Sequence, residues 1–90
     1  MIDIVKIVSV KRAGEFRLHL RFSDGTEGER DFSDIVSQNG PMIAPLKDPG
    51  FFAQVFLEAG VLTWPNGFDL DSIALHREMR EAGLLRRSAA

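Results

Sequence analysis

The sequence predicts an α+β fold: a small antiparallel sheet of about five strands, made of two hairpins plus an N-terminal strand, with short connecting helical turns and one C-terminal helix. Three observations predict it. Residues 16–22 alternate Phe16, Leu18, Leu20 and Phe22 with Arg17, His19 and Arg21, and Ser23-Asp24-Gly25 turns that half-buried strand into a return strand over 26–32. Trp64-Pro65-Asn66-Gly67 is a β-turn in which Pro65 presets φ and Asn66 and Gly67 tolerate the bend. Beyond it, Asp71 caps a helix over Ser72 to Glu81 whose stripe is Leu75, Met79 and Ala82, with Ala74 at its edge.

Ninety residues make a single domain, assigned to 1–84, with 85–90 read as a loose C-terminal tail. A chain of this size buries roughly 60–65% of the surface its unfolded form exposes, enough for one modest core. With 44% apolar and 27% charged residues it has the composition of a soluble globular domain. A net charge of −2 with interspersed signs argues against direct binding to nucleic acid phosphates. There is no Cys, which excludes disulfides and thiolate metal sites and fits a reducing compartment. The N-terminus carries Asp3 and Lys6 among its apolar residues, unlike a signal peptide, and no apolar run reaches the roughly 18 residues that a membrane span needs. A cytoplasmic location is expected, with no membrane partner.

Ile2 to Val10 is dense in β-branched residues and reads as a central strand covered on both sides, with a bulge or a frayed start at Lys6. The first hairpin's loop follows from its register. A two-residue loop would set Phe22 beside Glu27 and Leu20 beside Glu29. A three-residue loop, with Gly25 left-handed, pairs Arg21 with Glu27, His19 with Glu29 and Arg17 with Asp31, and sets Phe16 beside Phe32. The three-residue loop is therefore predicted. Ser33 is read as the cap of a short helix over 34–38, and Asp48-Pro49 starts another that brings Phe51 or Phe52 inward. Residues 54–58 and 61–64 form a second hairpin around Ala59-Gly60. That pairing groups Val55 and Leu57 with Leu62 and Trp64, and leaves Phe56 beside Thr63 on the other face. Gly83 stops the last helix and Leu84 folds back on Met79.

Nothing in the chain forms a catalytic constellation, so no enzyme activity, cofactor or metal is expected. His19 and His76 sit outside any metal-ligand spacing, and both are read as facing solvent. Asp69 and Asp71 with Asn66 offer oxygen atoms to a hard cation, but turn shaping and helix capping account for all three. The candidate interaction or ligand surface consists of Phe56, Trp64, Asn66 and Asp69.

Phe22-Ser23-Asp24-Gly25-Thr26, Pro45-Leu46-Lys47-Asp48-Pro49, Phe52-Ala53-Gln54-Val55 and Trp64-Pro65-Asn66-Gly67 with Asp69, in this order, resemble the small bacterial family called domain of unknown function 2442. The resemblance reaches through about Leu75. It implies a small α+β fold that occurs alone or fused to a helix-turn-helix domain, a half that this chain is expected to lack. Stand-alone members often sit beside a gene for another small protein, an arrangement like a toxin–antitoxin pair with this family as the antitoxin. No catalytic residue carries over. Two positions depart from the pattern: Phe56 stands where a polar residue is usual, and Ser72 where Pro is expected after the capping Asp. The implied function is a non-catalytic interaction module with a small protein partner encoded nearby, or a homodimer. The alternative is a small-ligand-sensing regulatory domain with a pocket near Trp64.

Overall fold

The computed structural model describes residues 5–88. Its elements in chain order are β1 (Ile7–Arg12), β2 (Arg17–Phe22), β3 (Thr26–Asp31), α1 (Ser33–Val36), a 3-10 turn (Ala44–Lys47), α2 (Pro49–Phe52), β4 (Phe56–Glu58), β5 (Val61–Thr63), β6 (Asp69–Leu70), α3 (Ser72–Glu81) and β7 (Arg86–Arg87). The α+β class holds, but the strands divide into two antiparallel sheets, one ordered β1-β2-β3-β7 and the other β4-β5-β6. The added strands β6 and β7 have two residues each, too short for any periodicity to show in sequence.

The β2–β3 hairpin adopts the three-residue loop. Arg17 faces Asp31, His19 faces Glu29 and Arg21 faces Glu27, and Gly25 takes φ 86°. The Phe32 N–H donates to the Phe16 carbonyl at 2.7 Å, which closes the far end of the ladder. Leu18, Leu20, Phe22 and Phe32 are thereby buried on one face. The second hairpin also keeps its expected register, Phe56 against Thr63 and Leu57 against Leu62. Its two-residue turn holds Ala59 at φ 52° and Gly60 at φ 81°, so Ala59 adopts the left-handed conformation that its Cβ disfavours.

β1 departs from expectation. It starts at Ile7, and Ile2 and Ile4 of the predicted strand lie outside the described residues. It is an edge strand and not a central one, and a bulge between Ile7 and Ser9 leaves Val8 57% exposed. The first short helix is also capped differently. Ser33 does not cap it; Asp31 Oδ1 accepts from the Ser33 N–H at 2.9 Å and from its hydroxyl at 2.6 Å. Asp48 and Asp71 cap α2 and α3 as expected, Asp71 through the N–H groups of Ile73 and Ala74.

The core is an aromatic train that joins the sheets. Phe52 packs edge-on to Phe16 at 5.4 Å between ring centroids, and against Phe32 at 5.9 Å and Trp64 at 5.6 Å. Phe16 and Phe32 belong to the first hairpin and Trp64 follows β5. α2 is thus the wedge between the two layers. Two polar bonds reinforce the join: Ile7 N–H to the Gly60 carbonyl at 3.0 Å, and the Ser72 hydroxyl to the Val5 carbonyl at 3.0 Å. The second accounts for Ser at this position, because Pro has no group to donate.

The buried stripe of α3 is Ser72, Leu75, His76 and Met79, while Ala82 is exposed. The helix ends in a Schellman turn: Leu84 N–H donates to Met79, Gly83 N–H donates to Arg80, and Gly83 has φ 72°. Beyond it residues 85–88 are not a loose tail, and 89–90 of the predicted tail lie outside the described residues. Arg86 and Arg87 pair with Glu27 and Thr26, Ser88 N–H donates to the Gly25 carbonyl at 2.8 Å, and Leu85 packs on the core. Gly28 permits this crossing, since a Cβ there would stand 2.2 Å from the Leu84 carbonyl oxygen. Gly28→Ala is therefore expected to push residues 84–88 off β3 and to destabilise the fold by about 1–3 kcal/mol. The measurement is the urea midpoint at constant m value; an unchanged midpoint would show that the segment does not rest on β3.

Candidate functional site

Each member of the predicted surface has a clear place. Trp64 is 1% exposed, and its indole N–H donates to the Phe52 carbonyl at 3.0 Å, satisfying the C-terminal end of α2. It is a core residue, and the turn presents no indole to a ligand. Asn66 is half-buried and works with both ends of its amide. Its Nδ2 donates to the Met42 carbonyl at 2.9 Å, and its Oδ1 accepts from the Phe68 N–H at 3.2 Å. Only a side chain that both donates and accepts serves there, so Asn66 is explained without a partner. Asp69 is exposed in β6 opposite Thr63. Phe56 is 43% exposed on β4, an edge strand. The structure therefore does not bring the four together on one surface. Among the described residues, no group of three or more His, Cys, Asp or Glu side chains is placed to hold a metal ion.

A different cluster emerges around Arg30, on the inner side of β3. Its side chain is 7% exposed and reaches α3 and α1 at once. Nε donates to Glu78, one terminal nitrogen to the Asp31 carbonyl and Asp34 Oδ1, and the other to Asp34 Oδ2 and Glu78. The guanidinium carbon also lies 4.7 Å from the Phe32 ring centroid. Burial opposes the charge, but the hydrogen bonds to Glu78 and Asp34 outweigh it and raise the pKa above the usual arginine value. All five N–H donors are engaged, so Arg30 has none left for an anionic ligand.

Above Arg30 lies an open groove of about 500 Å³, lined by Arg17, Glu29, Arg30, Asp31, Ser33, Asp34, Glu78 and Leu84. Four carboxylates face two guanidinium groups, which gives it an acidic character. Sequence periodicity missed it for a specific reason. Arg30 shares a face with Gly28 and Phe32, and a charged residue at a core-facing position is legible only once its partner 48 residues away is known.

His76 forms a second unforeseen contact. It is 9% exposed, not solvent-facing, and its Nε2 lies 2.8 Å from Asp24 Oδ2, with the ring edge-on to Phe22 at 5.0 Å. Asp24 also accepts from the Thr26 N–H and hydroxyl. Burial raises the Asp24 pKa, but the bonds from Thr26 and His76 outweigh it and hold the carboxyl below its usual value. His19 is half-buried on the opposite face of the sheet, 3.4 Å from Glu27 and 3.8 Å from Glu29.

Two predictions test these assignments. Asn66→Asp is expected to cost about 1–3 kcal/mol, because the donor to Met42 is lost and a carboxylate faces that carbonyl; Asp69→Asn is expected to stay within about 0.5 kcal/mol. Equal urea midpoints for the two variants would contradict the assignment. Because the folded-state pKa of Asp24 is depressed, its stabilisation is complete above the unfolded value, 3.8 for a free Asp side chain, and is lost as pH falls through the folded value. Acid titration of folding is therefore expected to be steeper for the native chain than for Asp24→Asn, and parallel curves would exclude the clasp.

No curated protein and no solved structure matches the chain. No described helix is long and apolar enough to cross a membrane. The model of the family described as "Protein of unknown function (DUF2442)" matches residues 7–81, which run from β1 through the end of α3. The Phe22–Thr26 loop, Pro45–Pro49, Phe52–Val55 and the Trp64 turn with Asp69, which carry the resemblance, all fall within that span, and the chain belongs to this family.

Proposed function

We propose that the domain is a non-catalytic protein-interaction module, and that its partner docks across β1 and β4. The observation that carries this reading is apolar exposure on two neighbouring edge strands. Phe56 of β4 is 43% exposed and Val8 of β1 is 57% exposed. The Ile7 N–H to Gly60 carbonyl bond ties the start of β1 to the turn that ends β4. Large apolar side chains at sheet edges are costly to leave bare, and edges invite pairing.

The finer reading is the antitoxin-like member of a two-protein pair. Its support is family membership together with the genetic arrangement that the resemblance implies. A homodimer is the competing occupant of the same edges.

Co-expression with the product of the adjacent gene, followed by size exclusion with light scattering, tests the reading. A stoichiometric complex is expected, together with relief of any growth arrest that the neighbouring protein causes alone. Phe56→Asp is expected to weaken the complex at least tenfold while leaving the urea midpoint within about 0.5 kcal/mol of the native value, since Phe56 contributes little to the core. A monomer that ignores the neighbouring product would overturn the paired reading, and a dimer that Phe56→Asp dissociates would replace it with self-association.

A further inference from the structure

We infer that the outer edge of β3 is a strand-acceptor site for an extended basic segment of a partner protein, and that β7 is a placeholder seated on part of it. This goes beyond the interaction-module reading by naming a second edge, remote in sequence from Phe56, and the chemistry of its occupant.

Phe32 N–H bonds to Phe16 across the hairpin, and strand alternation then turns the backbone of residues 26, 28 and 30 toward β2. The backbone groups of Glu27, Glu29 and Asp31 consequently point to the outer edge, where Glu27 pairs with Arg86 and the Asp31 carbonyl already accepts from Arg30. β7 covers only the beginning of this edge, at Thr26 and Glu27. Further along, the chain crosses the inner face of β3 at Gly28, where the Leu84 carbonyl lies, and runs back through Gly83 to α3.

The open groove continues the same line. Its walls include Arg17, Glu29 and Asp31 from the outer face of the sheet, and Arg30, Glu78 and Leu84 from the inner side. A concavity lined from both faces of one strand lies at that strand's edge. The Arg30 guanidinium has no free donor, so the groove cannot receive an acidic segment through it. The carboxylates of Glu29, Asp31 and Asp34 are half exposed or more, and set the charge of the rim.

β7 shows what fits. Leu85 tucks against the core, Arg86 points to Glu27 at 3.5 Å, and Arg87 donates to the Asp24 carbonyl at 3.0 Å, so the seated segment carries one apolar side chain inward and is otherwise basic. A longer strand of the same pattern would meet Glu27 and then Glu29 with successive basic residues, and its inward side chain would take the place that Leu85 now holds beside Gly28. Its first rungs are those now held by β7, so binding displaces β7. The family match over residues 7–81 includes this edge.

The test uses the full chain and a labelled peptide of four Arg-Val repeats, with four Glu-Val repeats as control, read by fluorescence anisotropy and by amide shifts. The native chain is expected to bind the basic peptide, with shifts centred on residues 27–31, and to ignore the acidic one. Arg86→Pro removes a donor that seats β7 and is expected to tighten binding at least fivefold. Glu29→Lys is expected to weaken it at least tenfold, as is Glu29→Gln to a smaller degree should the reversed charge disturb folding. Phe56→Asp is expected to leave peptide affinity unchanged, which separates this site from the docking face of the proposed function. Equal binding of both peptides, shifts centred on β1 or β4, indifference to Glu29→Lys, or no gain from Arg86→Pro would each overturn the proposal. So would a stable dimer formed by Arg86→Pro through exchange of its own C-terminal segment.

Discussion

The register of β2 against β3 is the constraint on which the rest of this structure depends. Setting Arg17, His19 and Arg21 opposite Asp31, Glu29 and Glu27 assigns every other residue of the hairpin to the buried face. Leu18, Leu20 and Phe22 enter the core, and so do Gly28, Arg30 and Phe32 from the partner strand. A slip of one residue would exchange the two sets and bury the acids. The cross-strand ion pairs are worth only about 0.2–1 kcal/mol each, so they select the register more than they stabilise the fold. Burial of the apolar set supplies the stability that makes the selection matter.

Consequences of that register reach both ends of the chain. It turns Gly28 inward, where the absence of a Cβ lets the Leu84 carbonyl cross β3. It turns Arg30 inward, where one guanidinium joins β3 to α1 through Asp34 and to α3 through Glu78. It also places Asp24 at the loop, within reach of His76 on α3. Two polar contacts with α3 and one close crossing by its extension thus follow from one hairpin. The second sheet is held differently, through Phe52 and the sealed Trp64, because its three short strands bury too little surface to stand alone.

What could be read from the sequence was local. The loop length at Gly25, the turn at Asn66, the cap at Asp71 and the stop at Gly83 each depend on residues within a few positions of one another, where backbone sterics and side-chain bonding decide. The misreadings share one cause. His76 is read as solvent-facing and Arg30 draws no reading, because polarity alone gives no sign that either lies on a buried face. Asp34 is a partner only four residues from Arg30, but Glu78 and Asp24 lie 48 and 52 residues from the groups they pair with, outside any short window of sequence. The stripe on α3 was displaced by the same error: leaving out His76 moved it toward Ala82, which is exposed. β6 and β7 are defined by their neighbours and not by any pattern of their own. Among the predicted surface residues, Phe56 was placed correctly by pairing with Thr63, whereas rarity made Trp64 look functional when its indole is needed inside.

The distribution of satisfied and unsatisfied groups then limits where function can lie. A buried arginine with all five donors engaged is a structural joint, since freeing any donor for a ligand would leave a partially desolvated charge short of partners. A tryptophan whose N–H is bonded to a helix end is equally committed. Asn66, with both ends of its amide engaged, belongs with them. Among the described residues, the fold leaves uncommitted at its sheet edges the backbone of Glu29 past the end of β7 and the apolar side chains of Val8 beside its bulge and Phe56 on the outermost strand of its sheet. These are groups that another polypeptide can satisfy and a small molecule can satisfy only in part, because a strand supplies donors and acceptors at the spacing an edge presents. The edges differ in chemistry, apolar at β1 and β4 and acidic at β3. An extended partner carrying both an apolar and a basic face would therefore meet only one of them in its full pattern, and that difference is itself a source of specificity.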